Sequence, residues 1–446
     1  MREILKQNTG VREIVSEQKL KDGVLYRWSD FAFPFDCSGK RYIFNTLTRQ
    51  CFETDIEVKR AERLTAEEIA ADEDKTSLVK GFFLVPENKD ECKFYESTVS
   101  LLRVYGRKKN GYISYTILPT TACNARCIYC YEEGMKPVTM TDEVIEDTIA
   151  FILKTRRPDT ELHLAWFGGE PLIGEKIIDR ICAALKENGV KFRSSMITNA
   201  SLLTDDLAEK MLSDWNMKHI QVSLDGTENE YIRRKNYIGS STGMYKRVLG
   251  NIAKLKDIPV ILRCNMDEDN IDEVYDFIEE LKNALPDRSK IGVDIAPLYG
   301  VQADEKGIEV WKKCFAAWDR LKNDGFGIAA GLDATTLRIH RCMADNTYGS
   351  IVITPDGLLY NCEHCLPDTS FGNVKDGITD RAYIKGFEKV EKTREMCRGC
   401  VFLPECTTFS RCPVVNASCR YSMEQRLLHT LKEAIRKQEA QNETKG

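Results

Sequence analysis

The sequence predicts an α/β fold built on a mostly parallel sheet, and two observations carry that reading. Six apolar runs, "YISYTIL", "ELHLAWF", "FRSSMIT", "HIQVSLD", "PVILRCN" and "IGVDIAP", recur between about residue 112 and residue 324, separated by amphipathic stretches such as "TDEVIEDTIAFILK". The runs read as apolar on both sides, which is the pattern of parallel strands covered by helices. An open doubly wound sheet and a barrel both satisfy that pattern.

The elements follow in order. Before residue 107 the chain reads as short strands, a turn and a helix: "YIFN", "TLTRQ", "CFET", "TAEEIAAD", then "GFFLVP". The polar stretch "YGRKKNG" marks a boundary. The first helix of the α/β region opens on a capping-box pattern, with Thr139 three residues before Asp142. No Gly-x-Gly-x-x-Gly follows a strand and there is no Walker A pattern, so a nucleotide phosphate site of the usual kinds has no signal. After residue 336 the chain is rich in cysteine, glycine and short polar runs, too irregular to bury a core without staples. A last helix runs through Leu427, Leu428, Leu431 and Ile435 and then turns polar. The expected divisions are therefore 1–106, 107–335, 336–421 and 422–446.

Composition narrows the function. At roughly 150 residues per domain, 446 residues suggest about three domains. The net charge is -5 with both signs interleaved, which leaves no electrostatic footprint for nucleic acid or an anionic membrane. The opening "MREILKQNTG" has no apolar run and no stretch is long enough to span a bilayer, so a cytoplasmic location is expected. Seventeen cysteines in such a chain read as metal ligands rather than disulfides. Three fall at Cys123, Cys127 and Cys130, eight lie between Cys342 and Cys419, and six are solitary. The solitary ones, Cys37, Cys51, Cys92, Cys182, Cys264 and Cys314, are expected to be small buried hydrophobes.

The triplet lies in "TTACNARCIYCYEEG", Cys-x3-Cys-x2-Cys with Tyr129 directly before the last cysteine. A four-iron cubane offers four ligand positions, and three thiolates leave one iron open for a ligand. A structural zinc is the alternative, but it ordinarily takes a fourth protein ligand. This motif, just after the first strand of an α/β region, resembles that of the radical SAM superfamily. The resemblance implies a partial (β/α)6 TIM-like barrel and a 4Fe-4S cluster on Cys123, Cys127 and Cys130, beside Tyr129. S-adenosylmethionine would chelate the open iron and be cleaved by one electron to a 5'-deoxyadenosyl radical. By the same resemblance Gly168, Gly169 and Glu170 of "FGGEP" face the amino group of S-adenosylmethionine, with glycines allowing close backbone approach to the ligand. Asn199 would reach the ribose, and Ser223 with Arg233 would hold the carboxylate, which suits the planar arginine fork. The segment "TENEYIRR" lacks the histidine-aspartate pair usual before that arginine, so Arg234 is a rival. Taken singly, Asn199 could cap a turn, Ser223 could be a strand residue and Arg233 a solvated helix charge. Together they follow consecutive strands, at the edge where α/β proteins bind ligands.

The C-terminal cysteines read Cys342-x14-Gly357-x4-Cys362, then Cys365, then Cys397-x2-Cys400-x5-Cys406-x5-Cys412-x6-Cys419. This resembles the SPASM extension of radical SAM enzymes, which implies two auxiliary 4Fe-4S clusters, three clusters in all. Family analogy gives Cys342, Cys362 and Cys412 to one and Cys397, Cys400, Cys406 and Cys419 to the other, with Cys365 completing the first. The spacing of Cys412 departs from the family pattern, and zinc remains open for the Cys-x2-Cys pairs. In related sulfatase maturases the acid after the equivalent of Cys362 accepts a proton, which makes Glu363 a candidate base; a plain surface carboxylate is the alternative. The organisation of residues 1–106 resembles a winged-helix-like leader-peptide recognition domain, which takes an extended peptide as an added strand, with Tyr42, Ile43 and Phe44 beside that edge. The alternative is a region that only caps the barrel. The expected activity is maturation of a ribosomally made precursor peptide, bound through its leader, by a thioether or carbon-carbon crosslink. Electrons would come from an external low-potential donor such as flavodoxin or ferredoxin. Formylglycine formation, peptide epimerisation and a non-catalytic iron-sulfur electron carrier are the alternatives.

Overall fold

The computed structural model describes residues 1–5, 20–107, 111–298, 301, 304–329, 333–346, 349–364, 370–388, 393–406 and 419–443. The N-terminal region contains β1 (Arg2–Leu5), β2 (Tyr26–Trp28), β3 (Ala32–Cys37), β4 (Lys40–Asn45), β5 (Cys51–Glu53), α1 (Ala66–Ala70), α2 (Glu73–Lys80), β6 (Leu84–Pro86) and α3 (Glu91–Arg107). Four strands form an antiparallel sheet in the order β1-β5-β4-β3, and β2 pairs with β6. Because side chains alternate across a strand, Ile43 and Phe52 pack on Ile69, Leu78 and Val79, while Tyr42, Phe44 and Cys51 face the other way. The expectation that Tyr42, Ile43 and Phe44 flank an open edge is corrected: β4 is an inner strand and the three are 0–1% exposed. The sheet edges among the described residues are β1 and β3.

The α/β region runs β7 (Ser114–Ile117), α4 (Asp142–Thr155), β8 (Leu162–Trp166), α5 (Glu175–Glu187), β9 (Phe192–Thr198), α6 (Asp205–Ser213), β10 (Met217–Ser223), α7 (Glu228–Lys235), α8 (Met244–Lys254), β11 (Val260–Met266), α9 (Val274–Ala284), β12 (Ile291–Pro297) and α10 (Glu305–Asn323). Its strands pair in parallel in sequential order from β7 to β12. Sequential addition with right-handed crossovers places the helices on one face, which is a barrel wall rather than a doubly wound sheet. β14 (Ser350–Ile353) then pairs in parallel with β7, Ser350 opposite Ser114 and Ile353 opposite Ile117. A short β13 (Gly327–Ile328) closes the far end, while β15 (Leu358–Tyr360), β16 (Gly372–Asn373) and β17 (Gly377–Ile378) extend the near end antiparallel.

The strands are not apolar on both sides, contrary to expectation. Leu162, Leu164 and Trp166 of β8 enter the core against the helices, whereas His163 and Ala165 between them are half-buried on the other face. The physical reason is the sequential order, which leaves the second face without a helix layer and lets it carry polar groups. The cap of α4 also differs: Thr141 Oγ1 accepts from Val144 N at 3.3 Å, whereas Thr139 pairs with Thr120. The linker expected at "YGRKKNG" begins inside α3, and residues 108–110 lie outside the described residues. Near the C-terminus follow α11 (Arg381–Glu388) and α12 (Cys419–Glu443). The helix expected through Leu427, Leu428, Leu431 and Ile435 is α12; Leu427, Leu431 and Ile435 are buried against the β1-β5-β4-β3 sheet, and Leu428 is half-buried beside them. No helix among the described residues is long and apolar enough to cross a membrane.

Candidate active site

The cysteine triplet sits in the loop between β7 and α4, and that loop is closed at its neck. Thr121 N donates to Val138 O at 2.9 Å, Met140 N to Pro119 O at 3.0 Å, and the hydroxyls of Thr120 and Thr139 bond at 2.8 Å. Its far side is laced to the end of α7: Ile128 N donates to Arg234 O at 3.0 Å, Arg126 N to Asn236 O at 3.0 Å, and Ile238 N to Asn124 O at 2.9 Å. Gly168 and Gly169 after β8 let the neck come close. Gly168 has φ +113°, and a Cβ on it would collide with Thr120 O. A Cβ on Gly169 would meet Thr121 O at 2.5 Å and Ala122 O closer still. The close approach these glycines permit is therefore to the cysteine loop itself.

Cys123, Cys127 and Cys130 are half-buried on this loop, with Cys130 N donating to Cys127 O at 3.0 Å. Burial pushes the Cys123 thiol up to about 11, and the neighbouring Glu170, Cys127 and Cys130 add in the same direction; burial raises Cys130 too. Three thiols within electrostatic reach of one another fit an iron-sulfur cluster, whose metal charge would draw off protons on binding. Among the described residues no three His, Cys, Asp or Glu side chains converge on the spacing of a single metal ion.

The other expected residues are placed unequally. Glu170 is fully buried and saturated by two backbone amides and one hydroxyl: its carboxylate accepts from Leu172 N at 3.1 Å, Thr198 Oγ1 at 2.6 Å and Asn199 N at 2.8 Å. Asn199 Nδ2 donates to Asn124 Oδ1 of the cysteine loop at 2.9 Å. Ser223 ends β10, half-buried, and lies opposite Arg263 of β11. Arg233 is 51% exposed and tied to Glu230 of its own helix at 2.5 Å. Its rival Arg234 is 0% exposed and saturated, with Nη1 on Asp267 at 2.9 Å and Nε on Glu230 at 2.6 Å.

The cation that the structure sets against the loop is Lys235, which the sequence reading missed. Its Nζ lies 3.1 Å from Asp225 Oδ2 and donates to Tyr129 Oη at 2.8 Å, all three groups enclosed, while Tyr129 Oη also bonds the Asp225 carboxylate. Burial alone would lower the lysine, yet Asp225 and the neighbouring Tyr129 and Cys127 hold it well above the usual ammonium range. Tyr129 is thus a clamp between loop and barrel. Successive helix positions point about 100° apart, so the three cations of "RRK" face different ways, and spacing alone does not say which one meets the loop.

The C-terminal segment meets the same mouth. The Tyr131 ring lies 6.4 Å from Phe167, stacked, and 4.3 Å from His364. Between Cys362 and His364, Glu363 has a buried Oε2 with no hydrogen-bond partner among the described residues. Cys342 opens the turn Met343–Asp345, and Asn361 Nδ2 donates to Ala344 O of that turn at 3.1 Å, which holds the Cys342 and Cys362 segments together. Cys397, Cys400 and Cys406 lie half-buried along consecutive turns, Cys400 N donating to Cys397 O at 3.1 Å and Cys406 N to Leu403 O at 3.2 Å. Cys419 begins α12, and Cys365 and Cys412 lie outside the described residues. The six solitary cysteines are all buried, as expected.

The open face of the sheet is polar. His163 Nε2 bonds Ser195 Oγ at 2.9 Å and its Nδ1 lies 3.3 Å from Ser114 Oγ. Arg263 Nη1 donates to Asp294 Oδ2 at 2.5 Å. Such a wall suits a polar substrate.

Comparison with known proteins agrees with this geometry. Residues 117–281 match the model of the radical SAM superfamily. Sporulation killing factor maturation protein SkfB of Bacillus subtilis (strain 168) is 26% identical over 179 residues, 39% of this chain and 40% of SkfB. A probable GTP 3',8-cyclase of Methanothermobacter marburgensis is 26% identical over 205 residues, 45% of this chain and 65% of the relative. The chain thus spans less than two thirds of the length of these curated relatives. The solved structure of native anSMEcpe with bound AdoMet superposes with a TM-score of 0.56 at 18% identity, covering 73% of this chain and 99% of that one. The same protein with bound AdoMet and Cp18Cys peptide gives 0.54 at 17%, covering 74% and 99%; at such identities the likeness is one of fold. Residues 117–281 thus carry a radical SAM domain, which is the part of the chain that the family model matches.

Proposed function

We propose that this chain is a radical SAM/SPASM peptide maturase, which installs a thioether or carbon-carbon crosslink in a ribosomally made precursor peptide. The observation that carries this reading is the Cys362–Glu363–His364 segment, seated through Tyr131 on the cysteine loop, with a buried carboxylate oxygen that has no hydrogen-bond partner among the described residues. Closing a crosslink after hydrogen abstraction requires loss of one further proton and one electron, so a base and an electron sink belong together at the mouth. The name of SkfB, a maturation protein, and the peptide complex of anSMEcpe support a peptide substrate.

Cys123, Cys127 and Cys130 would hold one 4Fe-4S cluster and the C-terminal cysteines two more; with S-adenosylmethionine on the open iron they would supply the 5'-deoxyadenosyl radical and the electron sink. The residues of the chain do the rest. The clamp of Lys235, Asp225 and Tyr129 fixes the loop, and Gly168 and Gly169 let it seat against the barrel edge. Asn199 and Ser223 line that edge for ribose and carboxylate. Glu363 takes the proton, and the Phe167, Tyr131 and His364 rings exclude water from the mouth. The polar wall around His163, Arg263 and Asp294 orients the peptide. The N-terminal region would receive the leader as an added strand on an edge of its sheet, and a low-potential carrier would deliver electrons.

The same carboxylate favours one second reading, formylglycine formation, in which Glu363 again removes a proton. The test is mass spectrometry of a candidate precursor peptide after anaerobic incubation with reconstituted protein, reductant and S-adenosylmethionine in deuterated buffer. Loss of two hydrogen masses, with no fragments between the joined residues, is the expected result. An aldehyde product would replace it with formylglycine chemistry, one deuterium gained would mean epimerisation, and absence of 5'-deoxyadenosine would overturn the enzymatic reading.

A further inference from the structure

The N-terminal region contributes two deeply buried arginines that the activity above does not use, and each reaches into a different C-terminal cysteine segment. Arg49 lies in the turn between β4 and β5 at a left-handed φ of +61°. Its guanidinium, 0% exposed, pairs with the Glu405 carboxylate, 3% exposed, and bonds the carbonyls of Thr46 (3.1 Å) and Asp333. Glu405 directly precedes Cys406 in the turn that follows Cys400. Arg103 of α3, 5% exposed, reaches Asp345 Oδ2 at 2.5 Å and Ile339 O at 2.7 Å. Asp345 in turn accepts from Arg341 N at 3.2 Å and from Cys342 N at 3.4 Å, capping the turn that Cys342 opens.

The surrounding packing follows the same division of labour. Cys397 and Cys400 pack in a core whose other members include Phe31, Leu47, Phe82 and Tyr95 of the N-terminal region. Thr46 Oγ1 donates to Val401 O at 2.6 Å between the two cysteine-bearing turns. A strained backbone at Arg49 and two charges removed from water are costly features. A surface that merely capped the barrel would not need them.

We propose that Arg49 and Arg103 are positioning residues for the two C-terminal cysteine sites: each fixes, through one buried carboxylate, the loop that presents one group of thiols. This rests on the reading of those cysteines as cluster ligands. Each arginine also balances the charge of that carboxylate beside an anionic centre, and hydrogen bonds and net charge near a cluster set its potential. The region expected to receive the leader is therefore part of both auxiliary sites.

The test uses the full-length protein, reconstituted anaerobically, with iron and sulfide counted per chain and reduced samples examined by electron paramagnetic resonance and redox titration. Cys342→Ala and Cys406→Ala supply reference spectra for loss of each auxiliary site. The expected result is that Arg49→Gln depletes the signal missing from Cys406→Ala and spares the other, while Arg103→Gln does the reverse. Cluster that remains at the affected site titrates at a more negative potential, because the unpaired carboxylate opposes the added electron, and Arg49→Lys restores it. Formation of 5'-deoxyadenosine at the first site persists in both. Should Arg49→Gln not fold, Glu405→Gln removes the other partner and must deplete the same signal. Full iron at unchanged potentials in these variants, or equal loss from every site, overturns the proposal. Failure of the parent reading looks different, since wild-type protein would then carry only about four irons, one cubane, and the two cysteine references would match it.

Discussion

Gly169→Ala tests whether the glycines after β8 exist for the cysteine loop. Gly169 carries no left-handed φ, so an added methyl costs contact and no backbone strain. The methyl would lie 2.5 Å from Thr121 O and 2.7 Å from the Ala122 carbonyl carbon, all backbone with no flexible side chain to yield. Restoring roughly 3.3 Å, the near limit of ordinary C···O contact, needs the neck to retreat by about 0.8 Å. The Glu170 N to Ala122 O hydrogen bond, 2.9 Å now, would stretch to about 3.7 Å and be lost. Overpacking of about 1–3 kcal/mol and a lost hydrogen bond of about 1 kcal/mol give roughly 2–4 kcal/mol. At about 2–4 °C per kcal/mol for a domain of this size, Tm falls by about 4–16 °C. Gly189→Ala is the contrast: φ is +67° with nothing within 4 Å, so it costs about 1–2 kcal/mol of conformational strain and leaves the loop alone. The assays are thermal melting by circular dichroism and iron bound after anaerobic reconstitution. Gly169→Ala should lose both stability and first-cluster iron, Gly189→Ala stability alone. Full iron retention in Gly169→Ala would refute the account of the neck.

Three further predictions follow from the site. Lys235→Met leaves Asp225 buried without its cation and should cost about 3–5 kcal/mol, whereas Arg233→Gln breaks an exposed pair and should cost under about 1 kcal/mol; chemical denaturation of both variants checks the ordering. Glu363→Gln should abolish peptide modification while 5'-deoxyadenosine still forms, read by chromatography of the two products. Burial, with Arg193 in the same direction, lowers the His163 pKa in the fold, so the neutral ring is the stabilising form. That contribution is present above the unfolded value of about 6.5 and is lost as pH falls below it toward the folded value. The slope of Tm against pH in that acidic window should therefore flatten in His163→Asn.

The six strand-helix units were legible because alternation of short apolar runs with helical periods is a local signal, and so was the cysteine loop, whose spacing is local too. The polar wall was not, since "ELHLAWF" and "HIQVSLD" are apolar enough to pass for two-sided strands until their order is known. Thr139 and Thr141 are equally good caps by composition, and only the pairing of Thr139 with Thr120 decides between them. Arg233, Arg234 and Lys235 form one run of cations, and three different environments separate them. Nothing local in "TLTRQ" announces that Arg49 will meet a carboxylate 356 residues away.

The pairing of β14 with β7 has a consequence for synthesis. Between emergence of Ile117 and of Ser350, one side of β7 has no neighbour from its own sheet. At about 5–20 residues per second that interval lasts roughly 12–47 s. During it a short, apolar strand edge stands open to wrong partners, the situation that aggregation exploits. Nascent chains and fragments that stop before residue 350 should thus be the holdase-dependent, precipitation-prone species, and the last hundred residues act as the segment that completes the wall from the first strand outward.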